Sequence, residues 1–185
     1  MIPEIVADTE HKMKGAVEHL REEFAGIRTG RAHPAMFSKI LVDYYGAPTP
    51  LQSLATFQVQ EGRTVIITPF DRGATKGIEK SIRDSDLGVN PSNDGATIRL
   101  VLPPLSEERR KEYIKVTKHK AEEARIAVRN TRRHSNEAVH KLLKDKEIGE
   151  DDSTRAEKQL DGITKKYTDQ VDEILKAKEV ELLEV

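Results

Sequence analysis

Residues 2–28 place apolar side chains at Ile2, Ile5, Val6, Met13, Ala16, Val17, Leu20, Phe24 and Ile27, in steps that are mostly three and four and draw one stripe along a helix. The spacing predicts a helix that stops around Thr29-Gly30, with Pro34 blocking its continuation. The texture then changes. Lys39–Tyr45, Ala55–Val59 and Arg63–Thr68 are short β-branched or aromatic runs punctuated by Gly46, Pro48, Pro50 and Gly62, and they read as strands. A short helix over about Ala74–Ser85, with Ile78 and Ile82 on one face, precedes the turn-rich stretch Leu87–Gly95 and a last strand, Thr97–Leu102.

After Pro103-Pro104-Leu105, Ser106 is placed to cap a helix, with Glu107 and Glu108 where the helix dipole favours negative charge. No proline or glycine interrupts the next 42 residues, so a helix about 40 residues and roughly 60 Å long is expected. Gly149 is expected to end it, and Asp151, Asp152 or Ser153 to cap a third helix striped by Ala156, Leu160, Ile163, Tyr167, Val171 and Ile174. The middle helix carries small residues on its stripe: Thr117, Ala121, Ala124, Val128, Thr131, Ser135 and Ala138. Small side chains let helix axes approach closely, so three stripes can be buried together in an up-down bundle. The expected fold class is α+β: a long antiparallel three-helix bundle, residues 1–30 and 105–185, with a small β/α/β domain, residues 31–104, inserted into it. Two connections join the bodies, Thr29, Gly30, Arg31, Ala32, His33 and Pro34 on one side and Leu102, Pro103, Pro104 and Leu105 on the other. Proline on both connections suggests that no helix runs through and that the joint is a hinge; a fixed docking of the two bodies is the alternative.

Composition narrows the class. With 185 residues and 36% hydrophobic side chains, the chain cannot build a large enzyme core. It has no cysteine, which excludes disulfides and cysteine-ligated metal, and no apolar run approaching the ~20 residues of a membrane span. Nothing in Met1–Ile5 marks the N-terminus for export, so a soluble cytoplasmic protein is expected.

The formal charge of −1 hides an uneven distribution. Residues 1–105 carry 12 basic and 13 acidic groups, residues 106–146 carry 13 and 7, and residues 147–185 carry 6 and 12. At about 100° per residue, Lys111, Lys115, Lys118, Arg125, Arg129, Arg132 and Arg133 fall within one stripe roughly 100° wide, interrupted only by Glu122. Such a ridge can follow a phosphate backbone with counterion release. Arg132, at the border of the apolar stripe, can bury its stem and still present its guanidinium. A salt-bridged, solvated helix face, or charge pairing with the acidic third helix, produces the same pattern. A second basic cluster, Arg28 and Arg31, sits at the first connection, and Arg109-Arg110 flank the second; they suggest an RNA-contacting elbow, or an Arg28 that caps helix carbonyls.

Catalytic chemistry is not indicated. His11, His19, His33, His119, His134 and His140 have no metal-ligand spacing, no phosphate-cradling glycine motif occurs, and Asp84 and Asp86 border a turn. No metal and no cofactor are expected.

Six segments together carry a resemblance. They are Ile27-Arg28-Thr29-Gly30-Arg31-Ala32, Asp43–Leu51, Ser85–Pro91, Pro103–Arg110, Ala127-Val128-Arg129-Asn130 with Arg132-Arg133, and Asp145–Asp152. In this order the chain resembles the bacterial ribosome recycling factor family along essentially its whole length. The resemblance implies an L-shaped, tRNA-sized outline with a hinge between the bundle and the β/α/β domain. It implies binding to the post-termination 70S ribosome, and subunit splitting with elongation factor G and GTP hydrolysis by that partner. The bundle would lie on the 50S subunit and touch 23S ribosomal RNA, while the inserted domain would face elongation factor G and the small subunit. Family arginine positions match Arg110, Arg129, Arg132 and Arg133, and its elbow motif matches Arg28 and Arg31; Arg125 and Lys118 join the candidate RNA-binding set from the stripe. Arg132 is the leading candidate. His33 departs from the small polar residue usual there, and His134 from a charged one. A monomer without membrane contact is expected. The rival reading is a helical scaffold or chaperone-like adaptor that binds protein through the bundle.

Overall fold

The computed structural model describes residues 1–184, and the chain divides into two compact units. One comprises Met1–Phe24 and Glu112–Val180; the other comprises Ala25–Lys111 and the chain from Glu181. Residues 25–30 and 105–111, assigned to the bundle by sequence, therefore group with the inserted module, and the division cuts two long helices, α3 (Glu107–Lys144) after Lys111 and α4 (Glu150–Leu183) after Val180. Helices thus do cross from one unit into the other, because the prolines end at position 104 and nothing after Ser106 interrupts helical hydrogen bonding. Val185, the last residue of the expected bundle span, lies outside the described residues.

The helical unit contains most of α1 (Ile2–Ala25), α3 and α4. α1 buries Thr9, Met13, Val17, Leu20 and Phe24, at the three- and four-residue steps of one stripe. α3 buries Thr117, Ala121, Ala124, Val128, Ser135 and Val139, and α4 buries Ala156, Leu160, Tyr167 and Val171. Cross-helix bonds fix the directions. Thr9 Oγ1 lies 2.5 Å from Ser135 Oγ and Glu23 pairs with Lys120, so α1 and α3 are antiparallel. Arg125 bonds Asp172 and His140 bonds Glu157, so α4 runs back along α3. The buried Thr9 and Ser135 hydroxyls meet each other in addition to the carbonyls of Ile5 and Thr131 on their own helices, 2.7 and 2.9 Å away, so each is satisfied locally and their mutual contact is specific to this register.

Three element ends differ from the sequence expectation. α1 stops at Ala25, four residues early, because Gly26 turns the chain there and a glycine loses the most conformational freedom in a helix. α3 ends at Lys144 rather than near Gly149: Lys146 takes φ 58°, its N–H donates to Leu143 O at 3.0 Å, and Glu147 N–H donates to Leu142 O at 2.9 Å. That pair of bonds closes a helix terminus in the way glycine usually does, here with a lysine in the left-handed position. α4 begins at Glu150, so Asp151 and Asp152 lie inside its first turn and act on the helix dipole instead of capping it. Ser106 does cap α3, its Oγ accepting from Arg109 N–H at 3.2 Å.

The second unit holds a four-stranded sheet in the order β3 (Ala55–Gln60), β4 (Thr64–Pro69), β6 (Ile98–Val101), β5 (Ser92–Asn93), all neighbours antiparallel. A separate hairpin of β1 (Leu41–Tyr44) and β2 (Ala47–Pro50) packs against α2 (Thr75–Arg83). β2 and β5 were not expected, since Pro48, Pro50 and the turn-rich 87–95 stretch read as breakers. Each has only one neighbouring strand: the prolines of β2, Pro48 and Pro50, stand at alternate positions of an edge strand, where an N–H can be dispensed with, and β5 is a two-residue edge added to β6. The core is aliphatic, with Val42, Leu51, Val65, Ile67, Ile78, Ile82, Ile98 and Leu100 around the one large ring, Phe37, which stacks on Phe57 at 5.1 Å. Two residues of the expected hinge are built into this core, Ala32 and Leu102. Their backbone N–H groups donate to Gly62 O at 2.7 Å and Arg63 O at 2.8 Å, so one β-turn holds both connecting strands.

Candidate nucleic-acid interface

The seven cations of the α3 stripe do not share one environment. Arg125, whose side chain is 19% exposed, donates from Nε and Nη2 to Asp172 Oδ1 at 2.9 and 2.6 Å and from Nη1 to Glu122 at 3.0 Å. Burial disfavours its charge, but the hydrogen bonds to Asp172 and Glu122 outweigh that and hold its pKa above the usual value. Its fork is engaged within the bundle, so Arg125 is not an open phosphate donor. Arg132, 42% exposed, approaches Asp161 of α4 at 3.8 Å, a loose pair that leaves most of its donors available. Arg129 shares Glu122 with Arg125 at 3.4 Å but remains half in water.

Arg133, Lys115 and Lys118 are exposed and form no ion pair among the described residues. With Arg129 and Arg132 they make a strip of five cations that faces away from the core residues of α3. Lys115 stood in the stripe by sequence but outside the candidate set; its freedom from carboxylates brings it in.

The elbow arginines divide. Arg28 is 7% exposed and donates from Nη1 to Leu87 O at 3.1 Å and from Nη2 to Pro103 O. Buried in this way, its guanidinium ties two loops of its own unit together rather than standing open on the surface. Arg31 is exposed beside Thr29, whose Oγ1 accepts from Arg31 N–H at 3.4 Å and donates to Arg31 O at 3.2 Å. Arg110 is half-buried at the first turn of α3, with a buried Nε that makes no hydrogen bond, and Lys111 pairs with Glu107 at 3.1 Å. Arg28, Arg31, Arg110 and Lys111 belong to one unit, and Lys115, Lys118, Arg125, Arg129, Arg132 and Arg133 to the other.

Along the connections, His33 Nδ1 accepts from Ala35 N–H at 3.0 Å and starts the short 3-10 turn Pro34–Phe37. The imidazole does there what a small polar cap would do, which explains how a histidine is accommodated at that position. Gly30 packs close to the chain end: a Cβ on it would stand 3.3 Å from Glu184 O. Pro104 and Leu105 lead into the Ser106 cap.

Among the described residues no group of three or more His, Asp or Glu is arranged to hold a metal ion, and no helix is long and apolar enough to cross a membrane. His19, His119 and His134 each sit on a glutamate of their own helix, at 3.0, 3.0 and 3.6 Å.

A two-unit α+β chain whose helical unit exposes a cationic strip on its longest helix is the class these features define. Comparison with known proteins makes it specific. A family model described as ribosome recycling factor matches residues 20–183. The ribosome-recycling factor of Cutibacterium acnes is 66% identical over 182 residues, covering 98% of this chain and 99% of that one. That of a Nocardioides species is 60% identical over 185 residues and all of both chains. Among solved structures, the solution structure of a ribosome recycling factor superposes with a TM-score of 0.79 at 40% identity, covering 100% of this chain and 98% of that one. A second, of the T. thermophilus ribosome recycling factor and the E. coli elongation factor G bound to the E. coli post-termination complex, gives 0.70 at 41% identity over all of both chains. The chain belongs to the ribosome recycling factor family.

Proposed function

We propose that this chain binds the post-termination ribosome in the cytoplasm and, with elongation factor G and GTP hydrolysis by that partner, splits it into subunits for a new round of translation. The observation that carries the reading, beside family membership, is the strip formed by Arg129, Arg132, Arg133, Lys115 and Lys118. Cations without strong internal partners keep their full attraction for phosphate, and binding releases the counterions condensed on RNA. Arginine forks can hold phosphate oxygens in pairs, which fixes a rod in place better than point charges do. The helices would be the 23S rRNA-binding body on the 50S subunit, and the inserted β/α/β module the part on which the GTPase acts through a hinge near Thr29–Arg31. No bond is made or broken in this chain on that reading; its work is mechanical.

The test is a subunit-splitting assay with purified chain, 70S post-termination complexes, elongation factor G and GTP. Splitting that requires both factors supports the reading. Arg132→Glu should leave the helical content unchanged and weaken 50S binding sharply, whereas a helical adaptor that binds protein alone would keep its partners in that variant. Gly30→Pro should slow splitting more than it weakens binding.

A further inference from the structure

Along the seam between α3 and α4, basic side chains of one helix meet carboxylates of the other in antiparallel order: Arg125 with Asp172, Arg132 with Asp161 and His140 with Glu157. The two arginines are held very differently. Arg125 gives two hydrogen bonds to Asp172 Oδ1, at 2.9 and 2.6 Å, from a side chain 19% exposed. Arg132 Nη1 stands 3.8 Å from Asp161 Oδ1, with 42% of the arginine side chain and 63% of the aspartate side chain in water. At that distance no hydrogen bond forms, and the attraction is that of two charges with room between them.

Asp161 has lysines within reach on its own helix and uses neither. Lys158 and Lys165 lie three residues before it and four after, the spacings from which side chains meet along a helix. Lys165 pairs with Asp169 at 2.9 Å instead, and Lys158 is exposed without an ion pair among the described residues. The counter-charge of Asp161 is therefore Arg132, across the seam. Arg133, Lys115 and Lys118 carry no such partner among the described residues, so within the exposed strip Arg132 is the cation with a carboxylate of α4 beside it.

We propose that Asp161 is a positioning residue that restrains Arg132: its carboxylate occupies the place of a phosphate oxygen in the free protein and competes with phosphate for the guanidinium. The proposal rests on the reading above in taking the helices as the RNA-binding body. A phosphate gripped by Arg132 comes to lie within a few ångströms of Asp161, so like charges repel where opposite charges attracted. The pair is loose enough to exchange, whereas the two short bonds of Arg125 to Asp172 keep that arginine inside the bundle. A factor used for many rounds has to let go of the subunit, and a guanidinium with a carboxylate to return to lets go sooner. Asp161 thus lowers the affinity for RNA and speeds release.

The experiment measures equilibrium affinity and dissociation rate of the full chain on 50S subunits for the unaltered protein, Asp161→Asn, Arg132→Met and the double variant. Asp161→Asn should bind about threefold more tightly, the size expected of an exposed pair, and the gain should appear as slower dissociation. In the Arg132→Met background the same substitution should change affinity less than about 1.5-fold, because the group it acts through is gone. Asp161→Ala is measured alongside and should reproduce the gain, so the result does not depend on how one replacement folds. Unchanged or weaker binding in both Asp161 variants overturns the proposal. An equal gain with and without Arg132 overturns it as well, since the carboxylate would then act as diffuse charge, and so does a gain confined to the association rate. Absence of 50S binding by the unaltered chain would overturn the functional reading and this proposal together.

Discussion

Arg125 and Asp172 are joined by two hydrogen bonds to a single carboxylate oxygen, 2.9 Å from Nε and 2.6 Å from Nη2, across the seam between α3 and α4. The arginine at the centre of the cationic stripe thus belongs to the bundle's own structure. Arg125→Met should lower the melting temperature by a few degrees, about 1 kcal/mol for a pair whose carboxylate is largely in water. It should weaken 50S binding less than Arg133→Met does. Calorimetry beside filter binding separates the two, and the reverse order would mean that Arg125 leaves Asp172 for phosphate.

The strip itself is tested by salt. Log affinity for the 50S subunit should fall linearly with log salt, and each of Arg133→Ala, Lys118→Ala and Lys115→Ala should flatten the slope by roughly 0.7 to 0.9. A slope that no substitution alters would mean these groups are merely solvated.

Arg28 is expected to matter for stability before function. Replacing it with methionine leaves the carbonyls of Leu87 and Pro103 without their buried donor, a loss of about 2 to 4 kcal/mol. Arg28→Lys should not rescue, because an ammonium cannot reach two carbonyls with a fixed fork. Amide exchange should quicken first around residues 87–89 and 102.

Lys146 holds a conformation that glycine adopts freely. Lys146→Gly should raise stability by about 1 kcal/mol, because relief of the left-handed strain exceeds the freedom that glycine adds to the unfolded chain. A lower melting temperature would show that the unfolded-state effect dominates.

Acid should destabilise the protein through a few carboxylates. Glu10 is held below its ordinary 4.5 by its bonds to Lys166 and Tyr167, and Asp94 below 3.8 by the Thr97 N–H and hydroxyl and the Ala96 N–H. Asp71 is lowered by the Gly73 N–H first and by the Tyr44 hydroxyl with it. A depressed folded-state pKa means that the unfolded chain binds the proton first, so the stabilisation is present above the ordinary values and is lost as pH falls through the folded ones. Denaturant midpoints should be flat near neutrality and drop below about pH 4, and Asp94→Asn should make that drop shallower.

Periodicity reads what neighbours in sequence decide. The three- and four-residue steps from Ile2 to Phe24, the uninterrupted stretch after Ser106 and the β-branched runs at 64–68 and 98–101 each name their element without help from the rest of the chain. β2 escaped because proline is excluded only from strands with two neighbours, and how many neighbours a strand has is a tertiary fact. The end of α3 escaped because a lysine in the left-handed position leaves no compositional trace.

The cationic stripe is likewise a local property, since seven basic residues on one face of a helix follow from 100° per residue and nothing else. Which of them stand open is not local. Asp172 and Asp161 reach α3 from 47 and 29 residues away, through a register set by Tyr167, Val171 and Leu160 packing into the bundle. Arg28 is buried because loops 59 and 75 residues further on close over it. Sequence alone therefore determined the helices, the strands β1, β3, β4 and β6 and the sign of the surface. Only the tertiary structure decided which charges are left for a partner, because a charge is neutralised by whatever carboxylate or carbonyl the fold brings to it.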